Sequence, residues 1–175
     1  IIDPISDSDN NFTDLGIKQS KHFDDLLNEN DIDGVIICSP SKYHVSQIKS
    51  LSDLTKNIFC EKPLGLSIEE ILDVKSLVAK KSLNLHIGFN RRYDPDFSEL
   101  KRRILNDEIG DLHMIKITSR DPAPPPISYI KKSGGIFLDM TIHDFDMVKY
   151  LSGSEIAELY VKGGCFVDPE IEKAK

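Results

Sequence analysis

Three short apolar runs, spaced by segments of helical periodicity, constrain this chain more than any other feature. The runs are "DGVIICSP" (33–40), "NIFCEKP" (57–63) and "LNLHIGF" (83–89), each rich in β-forming residues and bounded by turn residues. Between the first two, Val45, Ile48, Leu51 and Leu54 recur at helical spacing. Between the second and third, Ser67 and Glu70 form a capping-box pattern ahead of a helix with Ile68, Ile71, Leu72 and Val78 on one face. Strand, helix, strand, helix, strand predicts a parallel α/β sheet, because parallel neighbours need crossovers of this length. Ile1–Asp3 reads as a further strand end, and residues 23–30 as a short helix. In such sheets the working residues lie just past the carboxyl ends of the strands. There this chain places "IID", "CSP", "CEKP" and "GFNRR".

After Phe89 the pattern changes. Asp94-Pro95 starts a helix carrying Phe97, Leu100 and Ile104, which Gly110 helps to end. "LHMIKITSR" (112–120) alternates apolar and polar residues as a half-exposed strand does, and "IAELYVKGGCFV" (156–167) reads as another strand. "DPAPPP" between them is a stiff loop, each proline fixing its own backbone. The second half is therefore expected to begin an α+β domain, dividing the chain at 1–92 and 93–175.

Charge and cysteines narrow the function class. A net charge of −7 with scattered lysines and arginines argues against general affinity for nucleic acid or anionic membrane. No apolar run approaches the roughly 20 residues that cross a bilayer, and the first residues, acidic and polar, do not form a signal peptide. Cys38 and Cys60 sit in apolar runs and Cys165 lies far away, so buried thiols in a reducing cytoplasm are expected, without zinc-type spacing.

The stretch "GGIFLDMTIHDFDM" (134–147) carries the sharpest chemistry. If the chain turns helical around Asp139, then Asp139 and His143 stack one turn apart, with Asp146 next along that face. Ile142, Phe145, Val148 and Leu151 take the opposite side. Such a pair is a catalytic couple, half of a metal site, or a buried hydrogen bond. No second His or Cys stands at ligand spacing. The two glycines are expected to let the backbone approach a ligand before the helix begins.

Taken in order, "SPSKYH", "CEKP", "GFNRRYDPDF" and "SGGIFLDMTIHDFD" resemble the Gfo/Idh/MocA oxidoreductase family, and "SRDP" with "GGIFLDMTIHDFD" resembles its inositol-oxidising branch. The resemblance implies a partial Rossmann domain with a parallel sheet, followed by the start of an α+β domain with an open antiparallel sheet. It implies NAD as cofactor and hydride transfer from a small cyclic polyol, myo-inositol first, with another inositol isomer or a pyranose as alternatives. A non-catalytic sugar- or cofactor-sensing relative is the reading from a different class.

On the family's pattern Lys62, Asp139 and His143 form the catalytic group. Lys62 favours the developing alkoxide, and His143 titrates in the range a base needs. Asp139 orients the ring or a substrate hydroxyl. Asp3, Ser39, Pro40, His44, Glu61 and Lys62 are expected to serve the cofactor, with Asp3 accepting from the adenine ribose and His44 ordering its loop. Asn90 and Arg91, with Asp139 and His143, are expected to hold substrate hydroxyls; Arg92 reads as structural. Serines at 39 and 41 replace the family's usual Thr and Asn. A homo-oligomer is expected of the full-length protein, with no metal, nucleic-acid or membrane partner.

No G-x-G-x-x-G occurs, although that loop belongs roughly 20 residues ahead of the ribose acid. The expectation is an internal fragment lacking the glycine-rich loop and most of the C-terminal sheet, which alone binds NAD poorly and turns over little.

Overall fold

The structure, a computed structural model, describes residues 1–4, 13–29 and 31–173. Its centre is a three-stranded parallel sheet of β1 (Val35–Ile37), β2 (Asn57–Cys60) and β3 (Asn84–Ile87), in that spatial order. Val35 pairs with Ile58, and Ile58 in turn with Leu85. The crossovers are α2 (His44–Leu51) and α3 (Ile68–Lys81), which pack against each other over one face of the sheet. Ile37, Ile58 and Cys60 bury there against Val45, Ile48, Leu51 and Val74. Burial pushes the Cys60 thiol up to about 12, which leaves it an inert core residue.

The local signals act as the physics demands. Ser67 accepts from the Glu70 backbone while Glu70 reaches back to the Ser67 backbone, closing the capping box of α3. Asp94 caps α4 (Pro95–Leu105) by accepting from the Asp96 and Phe97 amides.

Several expectations are corrected. α3 docks through Val74, Leu77 and Val78, while Ile68 and Leu72 face outward. The three strands are covered on one face only among the described residues. Ile36, 73% exposed, stands on the other face with Phe59 and His86, the last two stacked ring on ring. Cys38 shares that alternation and is exposed, whereas Cys60 is buried. Ile1–Asp3 contributes one parallel bridge, Ile2 to Ser20, outside the three-stranded sheet. The short helix runs Phe23–Leu27, and Asn30 of its expected tail lies outside the described residues. Residues 112–120 and 156–167 form no β-ladder among the described residues. Alternation makes a segment able to pair; only a partner backbone makes it a strand.

His44 ties the carboxyl ends of β1 and β2 together. Its ring is 1% exposed, with Nδ1 2.7 Å from the Pro63 carbonyl oxygen and Nε2 2.7 Å from that of Ser39. Both nitrogens are spent on backbone, so His44 braces the strand-end surface. His44→Ala is expected to cost about 2–4 kcal/mol through the cavity and the stranded carbonyls. A urea-midpoint shift at unchanged m-value measures it.

Candidate active site

Lys62 stands two residues past the end of β2, and its peptide bond to Pro63 is cis. The Glu61 amide donates to the Ile37 carbonyl at 2.9 Å, extending the ladder and aiming the next side chain past the sheet edge. Lys62 Nζ then donates to the Asp139 backbone oxygen at 2.8 Å and to Asp139 Oδ1 at 3.1 Å. Residues 77 positions apart thus meet in a half-buried ion pair. A solvated surface pairing of Lys62 with Glu61 is not what forms. The Glu61 carboxylate instead accepts from the Lys62 amide and lies against Gly88, where a Cβ would come within 3.0 Å of its atoms.

Asp139 belongs to a π-helical turn, Phe137–Thr141, that runs into α6 (Ile142–Ser152). Such a turn is a recurrent device for re-aiming side chains at functional sites. Asp139 and His143 face one cavity as the helical spacing predicts, yet no hydrogen bond joins them among the described residues. Asp139 Oδ1 is engaged by Lys62 and by the Tyr129 hydroxyl, 2.9 Å away. Gly134 and Gly135 have φ of +80° and +84°. Gly134 ends α5 (Ile127–Ser133), and the pair makes a helix-to-helix turn.

His143 Nδ1 is buried without a hydrogen-bond partner among the described residues. The nitrogen left for a molecule in the cavity is Nε2. Burial pushes His143 below its ordinary 6.5; the Lys62 and Arg91 cations push the same way, while Asp144 and Asp146 oppose them. The ring is therefore held neutral, in its proton-accepting form, at physiological pH.

Two arginines fasten α6 to the turn Asn90–Tyr93. Arg91 Nη1 donates to Asp144 Oδ1 at 2.5 Å, and that oxygen also accepts from Ser119 Oγ at 2.7 Å. Arg92 Nε donates to Asp146 Oδ2 at 2.8 Å, with a second bond from Nη2 to Oδ1. Asp146, 8% exposed, is thereby a buried carboxylate with a partner and not the solvated residue of a polar face. Met147 and Leu151 are the residues α6 buries most deeply.

Lys62, Arg91, Asp139 and His143 line a single cavity of about 560 Å³. That is the size class of pockets for small molecules, and its walls are largely polar. Asn90 is exposed and does not line it. Ser39 and Pro40 lie past β1, where the Ser39 hydroxyl donates to Gln47 Oε1 at 2.6 Å. Asp3 sits apart, at the Ile2–Ser20 bridge. Sequence reasoning missed Ser119, Arg120, Asp121 and Tyr129; the first three line the cavity, and "SRDP" had marked their stretch. Among the described residues no cluster of three metal-ligating side chains occurs.

Comparison with known proteins fits this geometry. The model described as "Oxidoreductase family, NAD-binding Rossmann fold" matches residues 1–89, and that of the "GFO/IDH/MocA C-terminal domain" matches residues 97–174. The chain is 50% identical to the uncharacterized oxidoreductase YrbE of Bacillus subtilis (strain 168), covering 83% of this chain and 42% of that protein. It is 44% identical to the myo-inositol 2-dehydrogenase of Thermotoga maritima, covering 91% and 48% respectively. The solved scyllo-inositol dehydrogenase of Lactobacillus casei, with bound NAD(H) and scyllo-inositol, superposes with a TM-score of 0.77 at 37% identity, covering 93% of this chain and 50% of that one. The chain spans about half the length of the curated relatives it matches. With one family model on the parallel sheet and a second on the segment that bears Asp139 and His143, the chain belongs to the Gfo/Idh/MocA oxidoreductase family.

Proposed function

We propose that the protein carrying this chain oxidises a secondary hydroxyl of a cyclic polyol with NAD, myo-inositol being the first substrate to try. The observation that carries this reading is the convergence of Lys62, Asp139 and His143 on one polar, sugar-sized cavity at the carboxyl edge of a parallel sheet. The strand-end row of Ser39, Pro40, Glu61 and Lys62 fits a dinucleotide lying along that edge. Asp3 suits the adenine ribose, favouring NAD over its 2′-phosphorylated form.

NAD, when bound, supplies the hydride acceptor. The residues here handle the proton. A substrate hydroxyl placed among the three side chains meets the Lys62 ammonium, which stabilises the growing negative charge on oxygen. His143, neutral because of burial and its cationic neighbours, takes the proton at Nε2. Asp139 holds Lys62 in place and offers its second oxygen to a neighbouring hydroxyl. Arg91, clamped by Asp144, stands where it can fix the polyol ring. A homo-oligomer and a cytoplasmic location belong to the same proposal, the location supported by the free cysteines.

Steady-state nicotinamide reduction with myo-inositol, scyllo-inositol and pyranoses tests the reading. Turnover of any cyclitol with NAD supports it; turnover of pyranoses alone would move the assignment within the family. Binding of NAD and polyol with no turnover would favour a sensor.

The lowered pKa of His143 fixes a pH dependence. A base held below 6.5 stays unprotonated to lower pH, so the acid limb of kcat/KM is expected to centre below 6.5. The linked stability term has the same sign. The unfolded ring binds its proton more readily, so stability is retained above 6.5 and lost as pH falls towards the folded value. A limb centred above 6.5 would remove His143 from the role.

A further inference from the structure

Among the described residues Tyr129 is the one side chain besides Lys62 that hydrogen-bonds the Asp139 carboxylate, and neither the notion of a catalytic Lys–Asp–His set nor the family match assigns it a task. It stands on the first turn of α5, ten residues before Asp139. The loop ahead of it contains Pro122, Pro124, Pro125 and Pro126, whose rings fix φ along the approach. The Tyr129 and Ile130 amides both donate to the Pro126 carbonyl, at 2.9 and 3.1 Å, so the stiff loop hands its orientation directly to the tyrosine. Gly134 and Gly135 then reverse the chain so that Asp139 returns beneath the Tyr129 hydroxyl.

Resting on the proposed oxidoreductase reading, we infer that Tyr129 is a positioning residue, which locks the Asp139 carboxylate so that Oδ1 faces Lys62 and Oδ2 is left for the substrate. Both side-chain bonds to Asp139 fall on Oδ1, one from Lys62 Nζ and one from Tyr129 Oη. Among the described residues Oδ2 takes none. A carboxylate held by a single lysine rotates about its last torsion, because the ammonium is a point charge on a flexible stem. A second donor from a separate element removes that freedom. The hydroxyl is a dependable donor: burial, the hydrogen bond to Asp139 and the charge of Asp139 all raise the Tyr129 pKa above its ordinary value of 10.

The test compares Tyr129→Phe, which removes only the hydroxyl, with Tyr129→Leu, which removes the ring as well. Tyr129 is half exposed, so neither change empties the core. In protein with wild-type turnover, Tyr129→Phe is expected to lower kcat about tenfold, with NAD affinity and unfolding temperature unchanged. Tyr129→Leu is expected to fall by the same factor. In an Asp139→Asn background Tyr129→Phe should cost nothing further. Full activity in Tyr129→Phe, a loss confined to Tyr129→Leu, or an equal loss in the Asp139→Asn background would each overturn the inference while leaving the polyol reading intact. A wild-type protein that oxidises no polyol or sugar removes both.

Discussion

Lys62→Met should lower kcat by about a thousandfold while leaving NAD affinity within about threefold. The methionine matches the lysine stem in length, so the strand end keeps its packing and loses only the charge. That charge does two things in the cavity. It offsets the negative oxygen that develops as the hydroxyl is oxidised, a contribution made in the transition state and therefore seen in kcat. It also helps to hold His143 below 6.5. Removing it should raise the His143 pKa, so the residual activity should show its acid limb at higher pH than wild type. Steady-state kinetics across pH, with calorimetric titration of NAD, measures both. A variant retaining more than about a tenth of wild-type kcat would show that the cation does not serve the reacting oxygen.

Arg92→Ala should cost stability, about 2–3 kcal/mol. Asp146 is 8% exposed and takes two hydrogen bonds from the guanidinium. Without Arg92 it becomes a buried carboxylate facing no cation. A fully buried pair broken on one side costs more, but the Arg92 side chain is 43% exposed, and water admitted there recovers part of the loss. The substitution also strips a cation from above the Phe89 and Tyr150 rings. The double change Arg92→Leu with Asp146→Leu should recover most of the loss, since an apolar pair leaves no charge stranded. Chemical unfolding of the three proteins decides it. Equal stability of Arg92→Ala and wild type would mean the pair contributes nothing.

What could be read from the sequence follows how local each interaction is. The sheet was legible because runs such as "GVIIC" and the capping box of Ser67 and Glu70 work within a few residues of themselves. The Lys62, Asp139 and His143 set was legible only through the ordered family resemblance, since no spacing announces a contact across 77 residues. The Arg92–Asp146 pair was invisible for the same reason. Periodicity put Asp146 on a polar face, and nothing nearby in sequence says that an arginine 54 residues upstream covers it. Tyr129 was hidden behind a proline run that reads only as a stiff loop. The exposure of Cys38 and the outward turn of Ile68 and Leu72 failed for another reason. Apolar character states which surfaces can be buried, whereas the neighbours present decide which ones are.

The bonds that assemble the cavity are also those that join the two stretches of chain on either side of it. Lys62 to Asp139, Arg91 to Asp144 and Arg92 to Asp146 all cross from the sheet edge to the α6 region. A seam stitched by charges behaves differently from one glued by oil. Half-buried ion pairs hold in a narrow geometry and are costly to part, because each charge is then left facing a poor solvent, whereas an apolar joint tolerates sliding. The molecule therefore has a keyed suture at its working crevice, which fixes how the sheet edge and the α6 region face each other.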